Sequence, residues 1–186
     1  MEDADFNMEP RLMALMRQQH EQLGLNADHA LAWHENGHAV AASALSRLIC
    51  VHVEPFRRAY VDREGIKQDD DECIAAMGPA AQLAYMARFR KGEPSSCFLD
   101  QWVYPAAAED LKKLSQSWPA MRLEEEEWRA RIWGLSRLIQ QSTRISDVLK
   151  LLAETLFQKK VLSAEAVDHL ARDSKKGILR MLSKHE

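Results

Sequence analysis

Apolar residues along this chain recur mostly at intervals of three and four, the spacing that gives an α-helix one apolar face. Leu12, Met13, Leu15 and Met16 form such a stripe behind Pro10, and Gly24 supplies a stop, so a short helix is expected over 10–22. A second helix is expected from an N-cap at Asn26 or Asp28 to about Leu48. The period then changes. Ile49-Cys50-Val51-His52-Val53 and Ala59-Tyr60-Val61 are rich in β-branched residues and flank Pro55 and a basic turn, which predicts two short strands. Helical spacing resumes from about Asp70 to Phe89, behind Asp69, Asp70, Asp71 and Glu72, whose negative charge suits a helix N-terminus. Gly92, Pro94, Ser95 and Ser96 mark a loop over 91–104. Further helices are expected from Pro105 to about Ser117, with Pro119 as terminator, then over 121–141, 146–159 and 163–171, the last with Ser163 as N-cap.

Composition agrees with a mainly α protein carrying one short β-hairpin or small sheet. Only seven glycines and six prolines occur in 186 residues, and 46% hydrophobic residues suffice for a real core. No linker separates two domains, so residues 1–186 are expected to form one domain, with 1–9 a flexible N-terminus and 175–186 a C-terminal tail or frayed helix. A formal charge of -3 gives no reason to expect nucleic acid or an anionic membrane as partner. Cys50, Cys73 and Cys97 are odd in number and widely spaced, which points to buried thiols in a reducing, cytoplasmic setting. No signal peptide and no membrane-spanning run is expected.

The candidate chemistry lies in the second helix, at His34-Glu35-Asn36-Gly37-His38. Histidines four residues apart project from one helix face, one turn apart, a separation that suits two ligands of one Zn²⁺. Glu35 is rotated about 100° from His34. It is expected as the general base that takes a proton from a zinc-activated water and passes it to the leaving amine. A chance H-E-x-x-H arises in roughly 2% of sequences of this composition, so its surroundings matter. Gly37 costs about 1 kcal/mol against alanine inside a helix. Its expected use is the close approach of a substrate strand or β edge.

Those surroundings resemble one family. Trp33-His34-Glu35-Asn36-Gly37-His38-Ala39-Val40-Ala41 is similar to the H-E-A-G-H-A-x-x-A segment in the protease domain of FtsH, a family of ATP-dependent zinc metallopeptidases. Ile74-Ala75-Ala76-Met77-Gly78-Pro79-Ala80-Ala81 resembles the family's small-residue helix. Leu152-Ala153-Glu154-Thr155-Leu156, with Leu162 and Glu165, resembles its C-terminal helix pair. The resemblance spans about residues 7–170. It implies an FtsH-peptidase-like helical fold with the sheet next to the H-E-x-x-H helix. It also implies a third zinc ligand, an aspartate some seventy-odd residues past the second histidine. Asp110, in Ala107-Ala108-Glu109-Asp110-Leu111, stands seventy-two residues past His38. Glu109 is its nearest competitor, and an ordinary acid in the first turn of a helix is the other account of Asp110. The chain departs from the family at Asn36, usually alanine, at Gln82 and Leu83, usually paired glutamates, and at Pro55-Phe56-Arg57-Arg58, where a P-R-G turn is usual. The family's ATPase module is not expected ahead of the motif.

The expectation is therefore an ATP-independent zinc metalloendopeptidase acting on flexible or unfolded polypeptides, with His34, His38 and Asp110 as metal ligands and Glu35 as catalytic base. A homo-oligomer or a separate unfoldase partner is compatible with it. Two other readings stay open: a zinc-binding regulatory or interaction protein that keeps the fold without efficient proteolysis, and a metal-free helical protein. The remaining histidines are expected at the surface. Trp128 and Trp133 are expected in the core or an interface, and Glu125–Arg129 and Glu127–Arg131 as pairs one helical turn apart.

Overall fold

The computed structural model describes residues 24–54, 58–63, 67–89, 103–118 and 124–183. The helix expected over 10–22, the N-terminal nine residues, most of the loop expected over 91–104, Cys97, His20, His185 and Pro119 lie outside them.

Helix α1 spans Ala27–Ala44. Asn26 starts it from extended backbone, its Oδ1 accepting hydrogen bonds from the N–H of Asp28 at 2.9 Å and of His29 at 3.1 Å. Such caps satisfy donors that the first turn leaves orphaned and contribute about 1 kcal/mol. The Tyr85 hydroxyl bridges the same residue, accepting from its N–H and donating to its carbonyl. The helix ends short of the expected Leu48, because Ser46 turns left-handed at φ 58° and releases the chain into β1, Leu48–Glu54.

β1 pairs antiparallel with β2, Arg58–Arg63, and also with a third strand the sequence did not reveal, β3, Val161–Ser163. The sheet order is β2-β1-β3. Val51 pairs with Val61 on one side and Leu162 on the other, and Val51 and Leu162 are buried.

The other helices are α2 (Gln68–Phe89), α3 (Tyr104–Ser117), α4 (Glu125–Gln141), α5 (Thr143–Lys159), α6 (Ala164–Ala171) and α7 (Lys175–Leu182). Among the described residues the chain is thus mainly helical with one small antiparallel sheet, and the sheet packs beside α1. Residues 175–182 are not a tail or a frayed end. Ile178, Met181 and Leu182, at helical spacing, are buried, and α7 packs on α1. Among the described residues no helix is long and apolar enough to cross a membrane.

α1 is the centre of the molecule. It packs against α2, α5, α6, α7 and the sheet, and nearly every residue from Ala32 to Ser43 is buried. A helix enclosed on all sides cannot be amphipathic, which explains the run of small residues at 39, 41, 42 and 44. Side-chain pairing is partly tertiary. Arg129 bonds Glu125 at 2.9 Å as expected, but Arg131 reaches across to Glu72 of α2 at 3.0 Å. Trp128 is buried, and Trp133 is half-buried beneath the Arg137 guanidinium. Cys50 and Cys73 are only half-buried, short of the expected core placement. His169 is exposed as expected, whereas His29 packs edge-on to Phe157.

Candidate metal centre

His34 and His38 lie four positions apart, and their rings meet edge-on along one face of α1, 4.7 Å between centroids. Their Nε2 atoms lie 3.0 Å apart. The third group arrives from α3. Asp110 Oδ2 is 3.2 Å from His34 Nε2 and 3.6 Å from His38 Nε2. Asp110 is the seventh residue of α3, past the first turn, so the helix dipole does not account for it. Glu109 faces Lys112 at 3.6 Å and takes no part in the cluster.

The protonation of both imidazoles follows from their far sides. His38 Nδ1 is 2.7 Å from the carbonyl of Ile74, which only accepts, so Nδ1 carries the proton. His34 Nδ1 likewise donates to Gln82 Oε1 at 3.0 Å. In the neutral rings this leaves a lone pair on each Nε2, and the two point at each other and at a carboxylate oxygen. Asp110 Oδ2 is buried, and although it lies at ion-pair distance from both rings it has no hydrogen-bond partner of good geometry. Three converging lone pairs repel unless a cation or protons stand among them. The three ligand atoms lie within 4.8 Å of one another, and this His–His–Asp group can hold a metal ion.

Electrostatics point the same way. Burial alone would raise the Asp110 carboxyl, yet attraction to His38 and His34 outweighs it and holds the group well below the usual carboxylate range. Burial alone would lower His34, but the charge of Asp110, aided by Glu35 and Gln82, raises it. Glu35 is pushed up by burial, and repulsion from Asp110 adds to this, while His34, His38 and Lys113 partly offset the rise. A buried carboxylate that binds a proton more tightly than usual is a better base.

Close packing of α1 on α2 makes the site. A Cβ at Gly37 would come 2.2 Å from the Met77 carbonyl oxygen, so the backbone that Gly37 admits is that of α2, not the substrate strand or β edge expected. Gly78 does the same for the His38 ring. The neighbouring Pro79 lacks the N–H that would close on Ala75, so the helical ladder is already one bond short there. Tryptophans hold α3. Trp128 Nε1 donates to the carbonyl of Ala107, one turn before Asp110, at 3.1 Å, and Trp118 Nε1 donates to Asp71 of α2 at 3.0 Å.

His34, His38 and Asp110, all singled out in the sequence, are thus brought together, and Glu35, buried next to His34 on α1, interacts electrostatically with all three. Gln82, Gly78 and the Ile74 carbonyl were not foreseen as parts of the site. The spacing 74, 78, 82 marks one helix face, but nothing local says which helix that face meets. Asn36 is fully buried and donates to the Ala32 carbonyl at 2.7 Å. The side chain of His52 lies outside the described residues. A scan of the chain against protein-family models and a search of curated proteins each gave no match.

Proposed function

We propose that this chain is a zinc-dependent metalloendopeptidase of the FtsH-protease kind its sequence resembles, cleaving flexible or unfolded polypeptides without ATP. One observation carries the reading: an ionised Asp110 and two imidazole lone pairs converge on one buried point, with the Glu35 carboxyl next to His34 on the same helix. Two nitrogens and one carboxylate oxygen form a catalytic-type zinc donor set, one ligand short of a closed structural site. Zinc held by His34, His38 and Asp110 would supply Lewis acidity toward water and the scissile carbonyl. Glu35 would accept the proton from the attacking water at its raised-pKa carboxylate and then deliver it to the departing amine nitrogen. Gln82 and the Ile74 carbonyl would keep both imidazoles turned toward the ligand point.

A second reading, a zinc-binding regulatory or interaction protein, is favoured by the enclosure of the site. His34, Glu35 and His38 are each at most 7% exposed, which leaves little of them open to a peptide. The two readings separate in one assay. Chain purified without chelator is expected to carry about one zinc and to cleave a permanently unfolded protein. Chelator should abolish the cleavage, and Glu35→Gln should reduce it by about 10²–10⁴-fold. Zinc binding with no cleavage, or with equal cleavage by Glu35→Gln, would leave the regulatory reading. Less than about 0.2 zinc per chain would remove the metal from both.

A further inference from the structure

Two i,i+4 pairs face each other across the α1–α2 contact. On α1 they are His34 and His38, and on α2 they are Gln82 and Gly78. Gly78 clears room for the His38 ring, whose Nδ1–H goes to a main-chain carbonyl one turn further along, at Ile74. The His34 ring has a side-chain partner instead, and Gln82 is itself 4% exposed. The two ligands are therefore held differently. No substitution deletes the acceptor of His38, whereas the acceptor of His34 is a side chain.

The geometry points to Gln82 as a positioning residue that makes His34 a metal ligand, by accepting Nδ1–H and so keeping the lone pair on Nε2 beside His38 and Asp110. This rests on the metal-site reading above. The reasoning is stereochemical. A neutral imidazole has one proton and one lone pair, and the partner of one nitrogen decides which the other presents. Without an acceptor at Nδ1, His34 gains by moving its proton to Nε2, where Asp110 Oδ2 at 3.2 Å would take it. That tautomer cannot bind a metal through Nε2. Outer partners of ligand histidines also orient the ring and raise its basicity, and losing one typically costs 10–100-fold in metal affinity.

The test compares zinc affinity, by competition with a chromophoric chelator, in the full chain, Gln82→Met and Gln82→Glu. Methionine keeps the length and volume of glutamine without its carbonyl acceptor, and glutamate restores an acceptor. Gln82→Met is expected to bind zinc about 10–100-fold more weakly, with Gln82→Glu within about threefold of the unaltered chain or tighter. Gln82→Met binding as the unaltered chain does would overturn the proposal, and so would Gln82→Glu binding as weakly as Gln82→Met. Should Gln82→Met fail to fold, long-range ¹H–¹⁵N spectra of the unaltered, zinc-loaded chain decide. They are expected to show His34 protonated at Nδ1, and a proton on Nε2 would overturn the assignment. An unaltered chain that takes up no zinc defeats the metal reading together with this one. Normal uptake with an insensitive Gln82→Met defeats only the role of Gln82.

Discussion

A Cβ on Gly78 would lie 2.2 Å from the Nε2 of His38, so the imidazole fills the space that any other residue would need. Gly78→Ala is expected to push His38 off the ligand point and weaken zinc binding at least tenfold, by analogy with the loss of an outer partner. At Gly37 the obstacle is the Met77 carbonyl, also at 2.2 Å, and a main-chain atom can yield only if the helices part. Gly37→Ala should therefore act mainly on stability, by about 1–3 kcal/mol. Denaturant unfolding and chelator competition on both variants check the contrast, and equal effects on the two readouts would contradict it.

Glu35→Gln should make the metal-free chain more stable. The folded state raises the Glu35 carboxyl, chiefly by burial, so it binds that proton more tightly than the unfolded chain does. Such a group contributes stability at low pH and loses it as pH rises through the folded value. At pH 7 the buried carboxylate is a cost that the neutral amide avoids. A gain on the order of 1 kcal/mol, or about 2–4 °C in Tm, is expected at pH 7 and should shrink toward pH 4. A lower Tm for the variant at pH 7 would count against the placement of Glu35.

Zinc should stabilise the chain through Asp110. At a free concentration a hundredfold above Kd, a ligand specific to the folded state adds about 2.7 kcal/mol, or about 5–10 °C for a chain of this size. Asp110→Asn keeps the shape of the side chain but removes the charge that His38 and His34 hold ionised. Its zinc affinity is expected to fall more than tenfold and its Tm shift with zinc to disappear. Thermal scans with and without zinc at pH 7 measure this directly, and a full shift in the variant would remove Asp110 from the ligand set.

Acid sensitivity, opposite in sign to the effect of Glu35, has a source far from the metal group. Asp168 of α6 accepts a short hydrogen bond from Ser43 near the end of α1, and pairs with Lys175 of α7 at 2.9 Å. Partial burial would raise its carboxyl, but these two partners, with the charge of Arg172, outweigh that and lower it. A lowered carboxyl contributes stability above its unfolded value, about 3.9, and loses it as pH falls below that. The side chain is about half exposed, so solvent screening reduces the gain. Asp168→Asn is expected to cost about 0.5–1 kcal/mol at pH 7, and the two chains should converge below about pH 3. A difference that persists at pH 2 would mean that packing, not charge, is responsible.

Much of this was legible in the chain. α1 through α6 were legible to within a few residues: α4, α5 and α6 each bury a face that repeats every 3.6 residues, whereas α1 and α2, buried nearly all round, are marked by the N-cap at Asn26 and the acidic start at 69–72. The Ile178-x-x-Met181-Leu182 pattern of α7 was present too, but its single apolar stripe is short. β3 was not legible. Val-Leu-Ser becomes a strand only because β1, more than a hundred residues earlier, offers it hydrogen bonds. α1 ends before its apolar pattern does, because Ser46 is a residue type that gives no warning of a left-handed turn.

The sequence by itself determined the pair His34–His38 and the place of Glu35 between them, because a helix converts a spacing of four into a shared face without help from the rest of the chain. It nominated Asp110 only through a family resemblance, since no local rule links residues seventy-two apart. Tertiary structure decided that Asp110 Oδ2 meets the two Nε2 atoms, and that Gln82 and the Ile74 carbonyl hold the opposite nitrogens. It also decided that Gly37 serves the contact with α2. These relationships depend on how closely and at what register α1, α2 and α3 pack. That is a property of their combined side-chain shapes, which no one of these segments encodes alone.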